Sequence, residues 1–433
     1  MALAIGVGEF KTFRKRERSK APVRLASELD KTPLMIMDPL FKAYGTDRYR
    51  ERDPDIRLAE ERDIPAIAEL FRSHYGNGYI AQDVYDGGWV KRSIYRDDTI
   101  CLVLDHSGLV LATGSVVLNY GDRNDRSGEM GRLAVDPDCS RAGYGTRVID
   151  ALFKVAENSL EFASVESRTA HVITQEMVEE ARFPHIGFAP MLFSVNGRRE
   201  SVVLYAKLHG AGEFLRSKRP PYLISEAALL ANLVLTGMGL RSELAISDGP
   251  FADHRTSSFT VRSMDRSAVA QLLRIPDGRL TDPLLFGNIS IEEGFTFVRD
   301  KARYLVAYDD DNQPVGTIGL QFDETNRLAK GIELIAENER VWSSLCSAFI
   351  HESAALGAEV LSVDVSAYQP GLQRLLFDYG FRPAAYAPAM VFHGTERLDA
   401  LKMIKLNVPF DPGEMTLTEK SKKMFSLVRS NFV

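Results

Sequence analysis

One pattern of predicted elements occurs twice in the sequence, at positions roughly 200 residues apart. In the first occurrence, residues 56–59 alternate like a strand, and Asp63 and Pro65 stand where a helix cap and first turn belong. Residues 257–273 repeat this strand-then-helix opening. Since 433 residues are too many for one hydrophobic core, the repetition predicts two copies of one fold.

The later elements of the two copies also correspond. Residues 99–105, 108–118 and 129–135 are predicted strands, and a hairpin at residues 309–313 with a strand at 330–336 repeats them. The sequence therefore predicts an α/β fold of two domains, each a mixed, mostly antiparallel sheet flanked by helices. The predicted division of the chain is an N-terminal extension, a first domain, a helical connector, a second domain and a C-terminal extension, at residues 1–54, 55–210, 211–256, 257–395 and 396–433.

Charge and composition narrow the classes of partner. The net charge of −6 argues against nucleic-acid binding by the whole protein. The exception is the basic segment from Lys11 to Arg24. It is interpreted either as a solvated tail or as a surface that contacts phosphates, an acidic carrier protein or a membrane. The three cysteines have no metal-binding spacing, so no metal is expected. No apolar run of about 18 residues occurs, so no membrane span and a cytoplasmic location are expected.

The strongest local motif is the segment VDPDCSRAGYGT, residues 135–146, which leaves a predicted strand and enters a predicted helix. Gly143 and Gly145 allow a ligand to approach the backbone closely. The start of the helix presents free amides and a partial positive charge. This combination suits a pyrophosphate group.

This segment resembles motif A of the GNAT acyltransferases, whose usual form is Gln/Arg-x-x-Gly-x-Gly/Ala; Ser140 stands where that family has Gln or Arg. The resemblance covers residues 55–208 and, more faintly, 257–395, where the glycine pair is missing and a degenerate copy is expected. It implies acetyl-CoA or another acyl-CoA as co-substrate. The residues it implies for binding the coenzyme are Leu133, Ala134, Val135, Ser140, Arg141, Ala142, Gly143, Tyr144, Gly145 and Thr146.

The resemblance also points to residues for catalysis. Glu129 stands where GNAT enzymes often carry a catalytic glutamate; the alternative is an exposed strand carboxylate. His171 is a second candidate base or a structural histidine, and His185 is one candidate for the acid. The residues expected to shape the acceptor pocket, with packing as the alternative for the tyrosines, are Tyr75, Tyr79, Tyr85 and Gln175.

Together these features predict an acyl-CoA-dependent N-acyltransferase, in which a small-molecule or peptide amine attacks the thioester directly in a ternary complex. Two alternatives stay open. The first is a non-catalytic module that binds acyl-CoA, since fold alone does not fix function. The second is a donor carried by an acyl carrier protein that docks on residues 11–24. The acyl group, the acceptor and the oligomeric state are not specified by the sequence.

Overall fold

The structure is a computed structural model that describes residues 54–96, 99–118, 125–139, 142–247, 259–264, 283–287, 289–292, 295–298 and 302–433. The basic segment of residues 11–24 lies outside the described residues. The strands are β1 Asp55–Leu58, β2 Thr99–His106, β3 Leu109–Leu118, β4 Ser127–Val135, β5 Phe162–Arg168, β6 His185–Val195, β7 Arg198–Leu208, β8 Tyr222–Ile224, β9 Ala245–Ser247, β10 Thr260–Met264, β11 Leu285–Phe286, β12 Ile289–Glu292, β13 Phe295–Val298, β14 Ala302–Tyr308, β15 Pro314–Asp323, β16 Leu328–Ala336, β17 Val360–Ser366, β18 Arg382–His393 and β19 Glu396–Leu406.

The α-helices are α1 Ile64–Tyr75, α2 Gly87–Tyr95, α3 Tyr144–Ser159, α4 Ile173–Glu180, α5 Gly212–Leu215, α6 Ser225–Gly237, α7 Glu339–Ala355, α8 Pro370–Asp378 and α9 Glu419–Arg429. Short 3-10 turns precede α1, α2 and α3. In the described part of the chain, no helix is both long and apolar enough to cross a membrane.

The two halves of the large sheet have the same strand order. The first half runs β1-β2-β3-β4-β5-β7-β6, and the second runs β10-β14-β15-β16-β17-β19-β18. Each half has one parallel pairing among the described strands, β4 with β5 in the first half and β16 with β17 in the second. The other described pairings within each half are antiparallel. The predicted mixed, mostly antiparallel sheet is confirmed, and the repeated pattern in the sequence corresponds to a repeated topology.

The halves meet where β6 pairs with β18, through Gly187 and Ala385. This pairing makes one sheet of 15 strands, so the two halves share a continuous hydrogen-bonded layer. A Cβ atom on Gly187 would lie 2.2 Å from the Cβ of Ala385, which only glycine avoids. The division into separate domains stays a prediction.

Helices cover both faces of the first half because its strands alternate apolar residues toward each face. On one face, Val148 and Leu152 of α3 pack with Leu102 of β2. On the other face, Ile67 of α1 packs with Val103 of β2. The predicted strand-then-helix opening is thus confirmed, and its helix packs on β3 and on β4, the strand that leads to the glycine motif.

Asp63 holds the N-cap position of α1, as predicted. Its side chain makes no capping bond to α1, because a 3-10 turn extends the helical path backward and leaves Asp63 at that turn's end. The carboxylate instead accepts a hydrogen bond from the Glu60 amide at 2.7 Å and pairs with Arg57 at 2.6 Å. Pro65 lies in the first turn of α1, as predicted.

The chain after each half crosses to the other half. Helix α6 lies in the predicted connector and packs on β18, whereas α9 packs on β6. Gln373 anchors the first crossing: its amide nitrogen donates to the Tyr222 carbonyl at 3.2 Å, and its oxygen accepts from the Ile224 amide at 3.1 Å. The two halves are therefore interlocked as well as paired.

Candidate active site

A gap opens in the first half where two parallel strands separate. Strands β4 and β5 pair only from Ser127 to Met130 and then diverge, while β3 stays paired with β4 as far as Val135. A bulge beside Arg132, whose φ is +53°, bends β4 at this point. One edge of β4 beyond Met130 therefore faces the gap with backbone groups that no described strand pairs.

Two side chains from the last turn of α1 reach this edge. The Tyr75 hydroxyl donates to the Leu133 carbonyl at 2.8 Å, and Nδ1 of His74 lies 2.9 Å from the Val135 carbonyl oxygen. The His74 bond requires the tautomer that carries its proton on Nδ1. Both bonds use carbonyls of the strand that the sequence implicates in binding the coenzyme.

The glycine motif follows directly from β4. Gly143 has φ of +78°, and a Cβ there would meet nothing within 4 Å, so this glycine is needed for its conformation. A Cβ on Gly145 would lie 3.2 Å from Val135 Cγ2, so this glycine lets α3 approach β4 closely. Helix α3 begins at Tyr144 with Gly143 as its N-cap. Ser140 and Arg141 lie outside the described residues.

The other implied coenzyme residues lie on both sides of this turn. Leu133, Ala134 and Val135 end β4, and Ala142, Tyr144 and Thr146 surround the start of α3. The first amides of a helix have no partner within the helix. The structure therefore brings the β4 edge and a helix N-terminus together at one end of the gap.

A second carboxylate, that of Glu166, lies on the same face of the sheet as Glu129. Glu129 pairs with Ser164 of β5, and Glu166 follows two residues later on the same face, just beyond the last parallel pair. Burial and, to a smaller extent, the Glu129 carboxylate raise the pKa of Glu166 to about 7. The sequence analysis missed Glu166, because the strand register that aligns the two glutamates involves residues far apart in the chain.

His171 lies just beyond β5 at the mouth of the gap. Burial and the nearby Arg168 guanidinium lower its pKa, and its Nδ1 is buried without a hydrogen-bond partner in the described structure. Arg168 pairs with Glu200 at 2.6 Å, and its Cζ lies 5.9 Å from the centre of the Tyr75 ring. His171 is thus held neutral near the gap, and its role as a base stays a prediction.

The three candidate tyrosines form one cluster. The ring of Tyr79 is buried, and its centre lies 4.8 Å from those of Tyr75 and Phe71. The Tyr85 hydroxyl accepts a hydrogen bond from the Tyr79 amide at 3.1 Å. Burial raises the pKa of Tyr75 to about 12, so its hydroxyl stays protonated. Of the three, Tyr75 makes the described hydrogen bond to the β4 edge, and Tyr79 packs in one apolar cluster with Ala134 of β4. The part of all three in the acceptor pocket stays a prediction.

Gln175 and His185 belong to the interlock of the two halves. Gln175 is fully buried, its amide nitrogen donates to the Thr416 carbonyl at 2.9 Å, and its oxygen accepts from the Thr418 amide at 3.3 Å. Nε2 of His185 lies 3.2 Å from the Ser421 hydroxyl of α9. Gln175 therefore repeats the anchoring role of Gln373, and its place in the acceptor pocket stays a prediction.

The corresponding gap of the second half is filled by the chain itself. Strands β16 and β17 also pair only over four positions, but β11 then pairs with β17 at Asp364 and Val365. Gly287, just after β11, packs so closely on β16 that a Cβ would lie 2.4 Å from the Ile332 carbonyl oxygen. The equivalent stretch of β5, from Glu166 onward, pairs with no described strand on this side.

Comparison with known proteins concerns the first half. Residues 64–175 match the acetyltransferase (GNAT) family model, so the chain contains a GNAT-family acetyltransferase domain in its first half. No curated protein matches the chain.

Solved structures resemble about a third of the chain. The ribosomal-protein-S18-alanine N-acetyltransferase of Escherichia coli is 17% identical, with 38% of this chain and 99% of that one covered at a TM-score of 0.32. The ribosomal-protein-alanine N-acetyltransferase of Brucella melitensis is 19% identical, with 35% and 98% covered at 0.32. A spermidine N-acetyltransferase chimera from Vibrio cholerae is 17% identical, with 36% and 95% covered at 0.32.

Proposed function

We propose that the protein is an acyl-CoA-dependent N-acyltransferase whose donor binds in the gap between β4 and β5. The observation that carries this proposal is the gap itself, which opens within a GNAT domain directly before the Gly143 turn. An extended ligand with amide groups can add to a free strand edge as a further strand would. A pyrophosphate is favoured at the start of α3 by free amides and the helix dipole.

In the proposed reaction, an amine attacks the thioester carbon while both reactants are held in place. A carbon–nitrogen bond forms, the carbon–sulfur bond breaks, and coenzyme A leaves as its thiolate. Glu129 accepts the proton that the amine loses, and Glu166 is the second carboxylate on that face. A backbone amide of the bent part of β4 stabilises the developing oxyanion.

We further propose that the second half is a GNAT-like copy that binds no coenzyme. Its repeated strand order supports the relationship, and the presence of β11 in its gap supports the loss of binding. Because β11 uses backbone groups of β17, a donor would have to displace part of the protein's own sheet.

The donor site is tested by Gly143→Glu, which puts a bulky negative charge at the start of α3. We expect acetyl-CoA and coenzyme A affinity to fall by at least about 100-fold, because like charges brought together cost several kcal/mol. Isothermal titration calorimetry measures this directly. Gly197→Glu is the matched control, since Gly197 has φ of +75° and similarly open surroundings but lies in the β6–β7 turn. Retained binding in Gly143→Glu, or no binding by folded wild-type protein, would contradict the proposal.

Tyr75→Phe tests whether the donor competes with α1 for the β4 edge. The change frees the Leu133 carbonyl for the ligand, so acetyl-CoA affinity should rise about 2- to 10-fold, the effect of a hydrogen bond of about 0.5–1.5 kcal/mol. Tyr85→Phe removes a hydroxyl from the same cluster that does not contact β4, and its affinity should be unchanged. Weaker binding by Tyr75→Phe in the same titration would show that the hydroxyl contacts the donor instead.

A further inference from the structure

The junction of the halves forms a trough on the face that carries the two glutamates. Residues paired directly across neighbouring strands point to the same face of a sheet. One such row crosses the junction and consists of Glu166, Leu204, Gly187, Ala385, Lys402 and Asp364. At its middle a Cβ atom placed on Gly187 would lie 2.2 Å from the Cβ of Ala385, about half the usual spacing across paired strands, so the sheet bends toward this face. The bend brings the side chains of the two halves toward each other across the trough.

The two walls of the trough differ in charge although they have the same topology. Glu129 is the third residue of nine in β4, and the third residue of nine in β16 is Lys330. Leu204 is the seventh residue of β7, and the seventh residue of β19 is Lys402. The second half therefore carries two lysines where the first half has a glutamate and a leucine.

The charges on the walls lie within electrostatic reach of one another. Lys330 and Lys402 both favour the charged form of Glu166, against the effects of burial and of Glu129. Lys402 is paired with Asp364 at 2.8 Å. Lys330 is exposed, and the described residues give it no ion pair or hydrogen bond. Lys330 is therefore the ammonium group that a ligand in the trough can engage.

We propose that the acceptor is an amine that also carries a carboxylate or phosphate, and that Lys330 of the second half binds this anionic group. The inference rests on the proposed function, because the glutamates are taken to hold and deprotonate the amine. An acceptor that spans the trough places its amine beside Glu129 and Glu166 and its anionic group beside Lys330. The second half thus contributes to acceptor specificity without binding a donor.

Matched acceptors test this assignment through release of coenzyme A from acetyl-CoA. The pairs are lysine with cadaverine, arginine with agmatine, and O-phosphoethanolamine with ethanolamine. We expect the anionic member of at least one pair to have a kcat/KM at least about 10-fold higher than its partner. The first two pairs distinguish a carboxylate from the phosphate of the third.

Lys330→Gln should lower that kcat/KM about 10-fold, mainly through KM, and should lower neither the kcat/KM of the partner that lacks the anionic group nor the acetyl-CoA affinity. Lys423→Gln, on the exposed side of α9, is the control and should change neither. Equal losses of kcat/KM in Lys330→Gln for both members of a pair, preference for the amines that lack an anionic group, or no turnover by protein that binds acetyl-CoA would overturn the inference. If folded wild-type protein does not bind acetyl-CoA, the proposed function is overturned instead.

Discussion

Arg397→Met should lower the free energy of unfolding by about 3–5 kcal/mol, the usual cost of leaving a buried charge without its partner. Arg397 is fully buried and lies 2.8 Å from Asp125, which is equally buried, and 2.9 Å from Glu161. It also donates to the Ala389 carbonyl at 2.7 Å and the Met390 carbonyl at 2.9 Å. One side chain from the second half thus joins two carboxylates of the first, and urea denaturation measures its contribution.

Arg199→Met is the matched control, because Arg199 holds the second position of β7 as Arg397 does in β19. It donates to the Asn326 carbonyl at 2.6 Å and lies 3.2 Å from Glu359. Asn326 is neutral where Asp125 is charged, so this variant leaves no such buried carboxylate. We expect Arg199→Met to lower the free energy of unfolding by a smaller amount, about 1–3 kcal/mol. Equal losses in the two variants would contradict the role given to Asp125.

The stability loss in Arg397→Met should also depend on pH. Burial raises the pKa of Asp125 to about 6, although Arg397 lowers it, so removing the arginine raises this pKa further. A carboxyl whose folded pKa lies above its unfolded value favours folding below the unfolded pKa, and this contribution is lost as pH rises through the folded pKa. The difference in free energy of unfolding between the variant and the wild type should therefore be smallest in acid and should grow as the pH rises. A difference that does not change with pH would count against this account.

Glu129→Gln should lower kcat by about 100- to 10,000-fold, the range typical of a general base, with acetyl-CoA affinity unchanged. Calorimetry and steady-state kinetics with the same protein separate the two effects. Loss of the Glu129 charge should also lower the pKa of Glu166, because that charge raises it in the wild type.

Glu166→Gln provides the comparison for this prediction. It removes the carboxyl whose pKa is about 7, so any limb of the rate profile near that pH should disappear while Glu129 still accepts the proton. If Glu129→Gln keeps kcat within about threefold, the base lies elsewhere, and His171 is then the next candidate. If neither variant nor wild type turns over any acceptor, the non-catalytic module gains support.

Features that depend on neighbours in the chain were predicted well from the sequence. The hairpin between β14 and β15 closes at Asp309, whose amide donates to the Gln313 carbonyl at 3.0 Å, as the turn residues indicated. The Gly143 turn leads from a strand into a helix at the predicted place. The conformation of such a turn depends on residues only a few positions apart, so one short segment of the sequence is enough to predict it.

Features that depend on pairing between distant segments were not predicted. The register of β5 on β4 aligns Glu166 with Glu129, and nothing within either strand specifies it. The same is true of β11, which fills the second gap, and of the crossing that turns Gln175 into an anchor. Each outcome depends on competition among long-range contacts.

The sequence by itself determined the repeated order of strands and helices and the glycine turn, because backbone sterics and apolar periodicity act locally. The tertiary structure decided which gap stays open, which carboxylates meet and which arginine is buried between the halves. Those results follow from strand register and from the bend at Gly187, where a glycine is needed because Ala385 of the other half leaves no room for a side chain.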